Sequence, residues 1–310
     1  MTSNHKFNVG YVALIGRPNT GKSTLLNNIL GQKVAIVSDK PQTTRTSIIG
    51  IKTTSKGQII FIDNPGIHKP LHKLNKRMMH FVYSSLETAD VLCLLIDVTL
   101  KFGQGDQFVI DRLKKVSTPI FLLINKVDII KKDKVLLVID KYKDLLPFAE
   151  IIPISALKGT NIKDLENSIF AYLPKAEKIY SDNEISDQPQ QFLFAEIIRE
   201  KMLARVRQEL PFVTAVLIDE IEDRPPHSSH NQGKPKKYIK AQIFVEKDTH
   251  RKIIIGKQGS LIKAIGTDAR HDIEKILNAK IYLELQVKVK EGWRDSANVL
   301  ELIQGRYKGR

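Results

Sequence analysis

Cysteine is almost missing from this chain: Cys93 stands alone among 310 residues. No disulfide can form within it, and a reducing compartment suits it. Long apolar runs are missing as well. None approaches the roughly 18–20 uncharged residues that cross a bilayer, and the opening Met1-Thr-Ser-Asn-His-Lys-Phe carries no apolar signal region. A cytoplasmic location is the expectation. Acidic residues are in deficit, 34 Asp and Glu against 49 Lys and Arg, for a net charge of +15. That excess points to phosphate-bearing partners, nucleic acid first and an anionic membrane surface second. What is present suffices to fold: 42% hydrophobic and 27% charged residues exclude wholesale disorder. The length suits about two domains.

The charge is unevenly placed. Residues 1–180 hold 26 basic and 15 acidic side chains, residues 181–223 hold 4 and 10, and residues 224–310 hold 19 and 9. An acidic stretch thus separates two basic regions.

Through about residue 175, short apolar runs alternate with amphipathic stretches. The runs are Val9–Ile15, Ile48–Ile51, Ile59–Ile62, Val91–Ile96, Ile120–Ile124 and Ile151–Ile154. Helical patterns cover Lys22–Leu30, Leu74–Leu86, Gly105–Lys115, Lys132–Leu146 and Asn161–Leu173. This alternation predicts an α/β domain: a mixed, mostly parallel sheet with helices on both faces, over residues 8–175. Ligands of such sheets sit at the carboxyl ends of the strands. The polar stretch 176–190, with few periodic apolar positions, reads as a linker. Beyond it, a helix over Phe192–Glu209, strands at Phe212–Ile221, Tyr238–Val245 and Ile281–Val289, and a helix over Leu261–Leu277 predict a smaller α+β domain. It spans residues 191–300, is antiparallel in flavour, and leaves 301–310 as a tail.

Gly16-Arg17-Pro18-Asn19-Thr20-Gly21-Lys22-Ser23 follows an apolar strand and opens a helix, the setting of a phosphate-binding P-loop. The glycines let backbone N–H groups face phosphates, and the helix start adds its positive dipole end. Lys22 supplies charge to the outer phosphates, and the Ser23 hydroxyl can ligate Mg²⁺. Asp63-Asn64-Pro65-Gly66, followed by Ile67, comes after another strand. There Asp63 can hold Mg²⁺ through a water, and the Gly66 N–H can meet a γ-phosphate oxygen. Asn125-Lys126-Val127-Asp128 selects the base. A carboxylate at position 128 accepts from the N1–H and exocyclic amine of guanine, a donor pair that adenine lacks. Asn125 is expected to bridge to the P-loop, and the Lys126 stem to pack along the base. Ser155 and Ala156 suit a further loop that meets the base through backbone N–H groups. In Pro41-Gln42-Thr43-Thr44-Arg45, a threonine can ligate Mg²⁺ and sense the γ-phosphate.

The order of these elements resembles the Era family of bacterial GTPases. The likeness favours Thr44 over Thr43 as metal ligand, so that Ser23, Thr44 and Asp63 form the Mg²⁺ set and Lys22, Thr44, Gly66 and Asn19 bear on hydrolysis. The chain departs from that family at Asn64, where threonine is usual. Position 67, which carries the water-orienting glutamine in Ras-like switches, is isoleucine and cannot orient water. Related enzymes with an apolar residue there suggest that Asn19 holds K⁺ between the phosphates, where it can replace the charge of an arginine finger. His68, His72 and Arg45 are not assigned a catalytic role.

In the second domain, Gly256-Lys257-Gln258-Gly259 follows a basic approach that includes His250, Arg251 and Lys252. It precedes a helix and an alternating strand. In that setting it resembles the GxxG loop of a type II KH domain, which clamps single-stranded RNA. The Era family carries such a domain after its GTPase domain, so the likeness covers nearly the whole chain. The implied RNA-contacting residues are Gly256, Lys257, Gln258, Gly259, Arg251 and Lys252. Trp293 reads as a packing residue, Cys93 as a buried sheet residue, and His227 with His230 as no metal site.

The expectation is a monomeric GTP/GDP switch joined to an RNA clamp. Its implied partners are small-subunit ribosomal RNA near the 3′ end and the small ribosomal subunit, with a role in that subunit's assembly. The rival is a membrane-surface signalling GTPase, peripheral on the cytoplasmic side.

Overall fold

The computed structural model describes residues 7–67, 73–206, 209–224 and 236–303. These fall into two compact units, the first ending at Asp187 and the second made of Gln188 onward together with Lys73 and Leu74 at the start of a helix otherwise in the first. His68, His72, His227 and His230 lie outside the described residues.

The first unit alternates strand and helix as the apolar pattern predicts. Its strands are β1 (Phe7–Gly16), β2 (Ile48–Thr54), β3 (Gly57–Asp63), β4 (Val91–Asp97), β5 (Ile120–Asn125), β6 (Phe148–Pro153) and β7 (Lys175–Ala176). Its helices are α1 (Lys22–Leu30), α2 (Lys73–Thr88), α3 (Gln104–Leu113), α4 (Lys132–Tyr142) and α5 (Ile162–Tyr172). The sheet runs β2-β3-β1-β4-β5-β6, with β7 paired to β1. Only the β2–β3 and β1–β7 pairs are antiparallel. Every residue of β3 and β5 is buried, as continuous Val/Ile/Leu runs require when both faces of a sheet are covered. Among the described residues no helix is long and apolar enough to cross a membrane.

The stretch expected to be a linker does not run free. Lys175–Ala176 add a strand to the sheet, and the following residues lie along the β2–β3 hairpin as a strap. The Ile51 N–H donates to the Ile185 carbonyl at 2.8 Å, and the Ser186 hydroxyl donates to the Ile49 carbonyl at 2.7 Å. Gln58 is wholly buried and locks the strap. Its Oε1 accepts from Ile179 N–H at 3.0 Å and Tyr180 N–H at 2.9 Å, while its Nε2 donates to the Tyr180 carbonyl at 2.9 Å. Polar composition suggested solvent; here the polar groups instead pair with an otherwise open sheet edge.

The second unit comprises α6 (Gln190–Arg205), α7 (Leu210–Val213), β8 (Thr214–Arg224), β9 (Lys236–Val245), α8 (Asp248–Ile255), α9 (Ser260–Leu277), β10 (Ile281–Val289) and α10 (Ala297–Leu302). The three strands lie in the order β10-β9-β8. The β8–β9 pair is antiparallel but β9–β10 is parallel, so the antiparallel expectation holds for only half of the sheet. A parallel neighbour requires a crossover, and α8 with α9 supply it. Phe194, Ile198, Met202, Ile243, Ile265 and Ile273 are among the side chains that fill the core beneath these helices. The helix α8 is not evident as a separate element, because it is short and its first five residues are all polar or charged. The helix α10 crosses the expected domain end at residue 300. Trp293 is fully buried, and its indole N–H donates to the Val213 carbonyl at 3.0 Å, which makes it a packing residue.

Replacing Gln58 with Ala would leave three backbone groups of the strap without their partner. At about 1–3 kcal/mol for each unsatisfied buried group, partly recovered by water, the expected loss of stability is about 2–4 kcal/mol. Urea unfolding should show it, and the Ile179 and Tyr180 amides should lose their protection from hydrogen exchange.

Candidate functional site

The P-loop joins β1 to α1. At Gly21 φ is 99°, and a Cβ there would lie 2.2 Å from the Asn125 amide nitrogen, so neither the conformation nor the space admits a side chain. Gly66 has a similar need: a Cβ would sit 2.5 Å from the Pro18 nitrogen, because the turn after β3 is laid directly on the P-loop. The Ile67 N–H donates to the Gly16 carbonyl at 3.0 Å and holds that contact. Lys22 is buried, and its Nζ donates to the carbonyls of Arg17 at 3.0 Å and Gly16 at 3.4 Å. Burial lowers its pKa to about 8, although the nearby Asp63 carboxylate acts in the opposite direction.

Three oxygen donors converge beside Lys22. The Ser23 hydroxyl donates to Asp63 Oδ2 at 2.5 Å and lies 3.1 Å from the Thr44 hydroxyl. The other carboxylate oxygen, Asp63 Oδ1, is buried and has no hydrogen-bond partner. Two hydroxyls and a carboxylate with an unsatisfied oxygen suit a hard cation such as Mg²⁺. Thr44, not Thr43, faces this point; the Thr43 hydroxyl donates to the Lys40 carbonyl at 2.6 Å within its own loop. Lys22, Ser23 and Thr44 open on a cavity of about 410 Å³, whose walls also include Pro18, Asn19, Gly21, Gly66 and Lys126.

Asn125 organises the base end. Its amide donates to the Thr20 carbonyl at 2.7 Å, and its Oδ1 accepts from the Ala156 N–H at 2.9 Å. One buried side chain thereby ties the P-loop, β5 and the loop after β6. The Ser155 hydroxyl donates to Asp128 Oδ1 at 2.6 Å, so the fifth loop orients the carboxylate expected to read guanine. Two expected nucleotide contacts are corrected at the side chain. The Arg17 side chain turns away to pair with Asp106 on α3 at 2.8 Å, which leaves only its backbone at the site. Asn64 is wholly buried and also faces away: it donates to Ser85 Oγ at 2.8 Å and accepts from the Ser47 hydroxyl at 2.9 Å. The Ile67 side chain is buried as well, and its backbone N–H is the group that meets the P-loop.

In the second unit, the GxxG loop links α8 to α9 through a single tight turn. Gly256, Gln258 and Gly259 all have left-handed φ, at 77°, 51° and 76°. Lys257 and Gln258 are exposed at its tip. Beside the loop, a groove of about 440 Å³ lies between α9 and β10, walled by Ile262, Lys263, Gly266, Arg270, Tyr282 and Leu285. Arg251 and Lys252 are exposed but both pair with Asp248, at 2.8 and 3.2 Å, so less of their charge faces a ligand than expected. The groove cations Lys263 and Arg270 were missed. On α9 the spacing of 263, 266, 267 and 270 marks one face beside the loop, and that helical spacing was the available signal.

Residues 11–126 match a family described as "50S ribosome-binding GTPase", and residues 228–294 match the KH domain family. The chain is 41% identical to Era in a crystal structure with MgGDPNP and nucleotides 1506–1542 of 16S ribosomal RNA. That match covers 96% of this chain and 98% of the other, with a TM-score of 0.90. It is also 41% identical to a point variant of Aquifex aeolicus Era bound to GDP·AlF₄⁻, over 96% and 99% of the two chains, with a TM-score of 0.89. The chain belongs to the Era family. It is a GTPase whose nucleotide-binding domain is coupled to an RNA-binding KH domain.

The Era-family departure at Asn64 is accounted for by the burial just described. The asparagine amide also donates to the Ile62 carbonyl at 3.3 Å, so it fastens the turn after β3 without entering the cavity.

Burial raises the Asp63 pKa to about 6, against the opposing pull of Lys22 and Ser23. A carboxyl so raised favours the folded nucleotide-free protein below its unfolded value of 3.8, an advantage lost as pH climbs through about 6. Were Mg²⁺ with nucleotide held at this point, its binding would need the carboxylate, so its pH dependence would have the opposite sign. Affinity should rise about tenfold per pH unit up to about 6, level off, and fall again above about 8 as Lys22 loses its proton. Calorimetry across this range checks it. Asp63→Asn should flatten the acid limb to what the nucleotide's own phosphate contributes.

Proposed function

We propose that this chain is a cytoplasmic, monomeric GTP-driven switch that binds small-subunit ribosomal RNA near its 3′ end and acts in assembly of that subunit. The observation that carries the reading is the meeting of Ser23, Thr44 and the orphaned Asp63 oxygen beside Lys22. That point joins a segment before β2, a turn after β3 and a fixed P-loop, so a γ-phosphate there would order two loops at once. The RNA assignment rests on the GxxG turn and its groove, together with the 16S RNA held by the Era relative. The rival membrane-surface reading is not favoured.

Ser23 and Thr44 would hold Mg²⁺ directly and Asp63 through a water; when bound, the ion neutralises charge on the outer phosphates. Lys22, already turned to the loop carbonyls, exchanges them for phosphate oxygens. Gly66 lines the cavity, and its N–H would meet the γ-phosphate. Ile67 cannot orient water, being apolar and 2% exposed. Asn19 is the polar side chain that takes over this region. It has left-handed backbone (φ 65°), lines the cavity, and its amide donates to the Asp39 carbonyl of the switch loop at 2.7 Å. It would hold K⁺ there, adding positive charge against the developing phosphate charge.

Two measurements follow from this reading. Single-turnover GTP hydrolysis should be at least about tenfold faster in potassium than in sodium buffer, and Asn19→Ala should erase the difference; equal rates in wild type would remove the K⁺ role. RNA carrying a small-subunit 3′ sequence should bind more tightly with a non-hydrolysable GTP analogue than with GDP, and Lys257→Glu should weaken both and flatten their salt dependence. Equal affinity in the two nucleotide states would refute the coupling.

A further inference from the structure

The base end of the nucleotide site contains a carboxylate that the five expected motifs do not include. Asp97 ends β4 directly beside Asn125, the last residue of β5. The Val98 N–H donates to the Asn125 carbonyl at 3.1 Å, so the chain after β4 stays in step with the Asn125–Asp128 loop. The two oxygens of Asp97 are used differently. Oδ1 accepts from the Thr99 N–H at 2.9 Å and the Thr99 hydroxyl at 2.6 Å, which closes a tight turn and immobilises the carboxylate. Oδ2 is thereby aimed at Lys126, whose Nζ donates to it at 2.5 Å. The Asp97 side chain is only 6% exposed and that of Lys126 31%, so this pair is shielded on one side, unlike the ion pairs on the helix surfaces.

Lys126 itself has left-handed backbone, φ 69°, and lines the nucleotide cavity. A lysine stem has four carbons and many rotamers, and leaving them free would disperse the surface it offers to a base. We propose that Asp97 is a positioning residue for guanine recognition: it tethers the far end of Lys126 so that the stem is held taut along the face of the base. The proposal rests on the assignment of Lys126 to the base, and it adds a residue that acts through it. Thr99 is part of the same device, because it holds the carboxylate that holds the lysine.

A tether of this kind acts on the base and is indifferent to the γ-phosphate. The full-length protein, titrated with fluorescent GDP and with a GTP analogue, should show Asp97→Asn raising both dissociation constants by about tenfold, the loss expected for a charge-assisted bond. Turnover at saturating GTP should change by less than about twofold. Lys126→Met keeps the stem but lacks the charge; it should lose a similar amount, and the double variant should be no worse than either single one. Thr99→Ala loosens the turn but leaves the ion pair, so its loss should be smaller. Unchanged affinity in Asp97→Asn, additive losses in the double variant, or a loss in Thr99→Ala equal to that of Asp97→Asn would each overturn the assignment. Failure of the wild-type chain to prefer guanine over adenine nucleotides would instead overturn the base-site reading beneath it.

Discussion

The Asn125 carboxamide is the bond on which the nucleotide site depends. It is 2% exposed, and both ends are used: the amide on the P-loop carbonyl of Thr20, the oxygen on the N–H of Ala156. Each of those backbone groups belongs to a loop with no regular structure, and each lies where water is excluded. An asparagine suits the place because it carries a donor and an acceptor on one rigid plane. Aspartate could not satisfy the Thr20 carbonyl, and an aliphatic residue would leave both groups unpaired at about 1–3 kcal/mol each. Gly21 is the complement of this bond, since a Cβ at that position would occupy the space of the amide nitrogen. The phosphate loop and the base loop are therefore one rigid object, set by a side chain at the end of a central strand.

Against this frame, the residues proposed to answer to GTP are tied more loosely. Thr44 and Asp63 meet Ser23 through hydroxyl contacts, and the carboxylate keeps an unsatisfied oxygen. Such an arrangement gains most when a ligand completes it, and it has little reason to persist otherwise. The segment bearing Thr44 leads into β2, whose first residue Ile48 pairs with Asp63 itself. The far side of the same hairpin carries the strap of residues 177–187, locked by Gln58 and by the Ile51–Ile185 bond. One antiparallel hairpin thus carries Asp63, the carboxylate proposed to hold Mg²⁺, at one end and the strap that precedes the RNA-binding unit on its edge.

How much of this could be read from the residues varies with the kind of information involved. The parallel sheet and the motif loops were readable because buried strands are continuous apolar runs and the loops follow them in order. The Thr44, Asp63 and Ser23 convergence was expected from the family likeness and is present. The fate of 176–190 was not readable: polarity is the same whether a segment meets water or the unpaired edge of a sheet, and the deciding residue, Gln58, lies more than a hundred positions away. Asp97 and Asp248 escaped for a related reason. An acid declares its partner only when folding brings the two together, and neither belongs to a known motif. Asn64 and Arg17 lie inside motifs, yet their side chains serve the turn after β3 and the start of α3; a motif fixes where the backbone runs and leaves the side chain free for other work.

The replacement of a glutamine by Ile67 can be understood in the same physical terms. Ile67 is 2% exposed, and its N–H is bonded to the Gly16 carbonyl, so the turn after β3 is pinned to the P-loop by backbone. A long polar side chain at 67 would have to leave that buried position before it could reach a water. Polarity at the cavity wall is supplied by Asn19, which in left-handed backbone meets the Asp39 carbonyl. The Asn19 bond thus spans the P-loop and the segment that leads to Thr44. If Asn19 serves hydrolysis as proposed, its bridge to the loop bearing Asp39 would make turnover conditional on that loop's order, a dependence that a glutamine carried on the turn after β3 would not by itself impose.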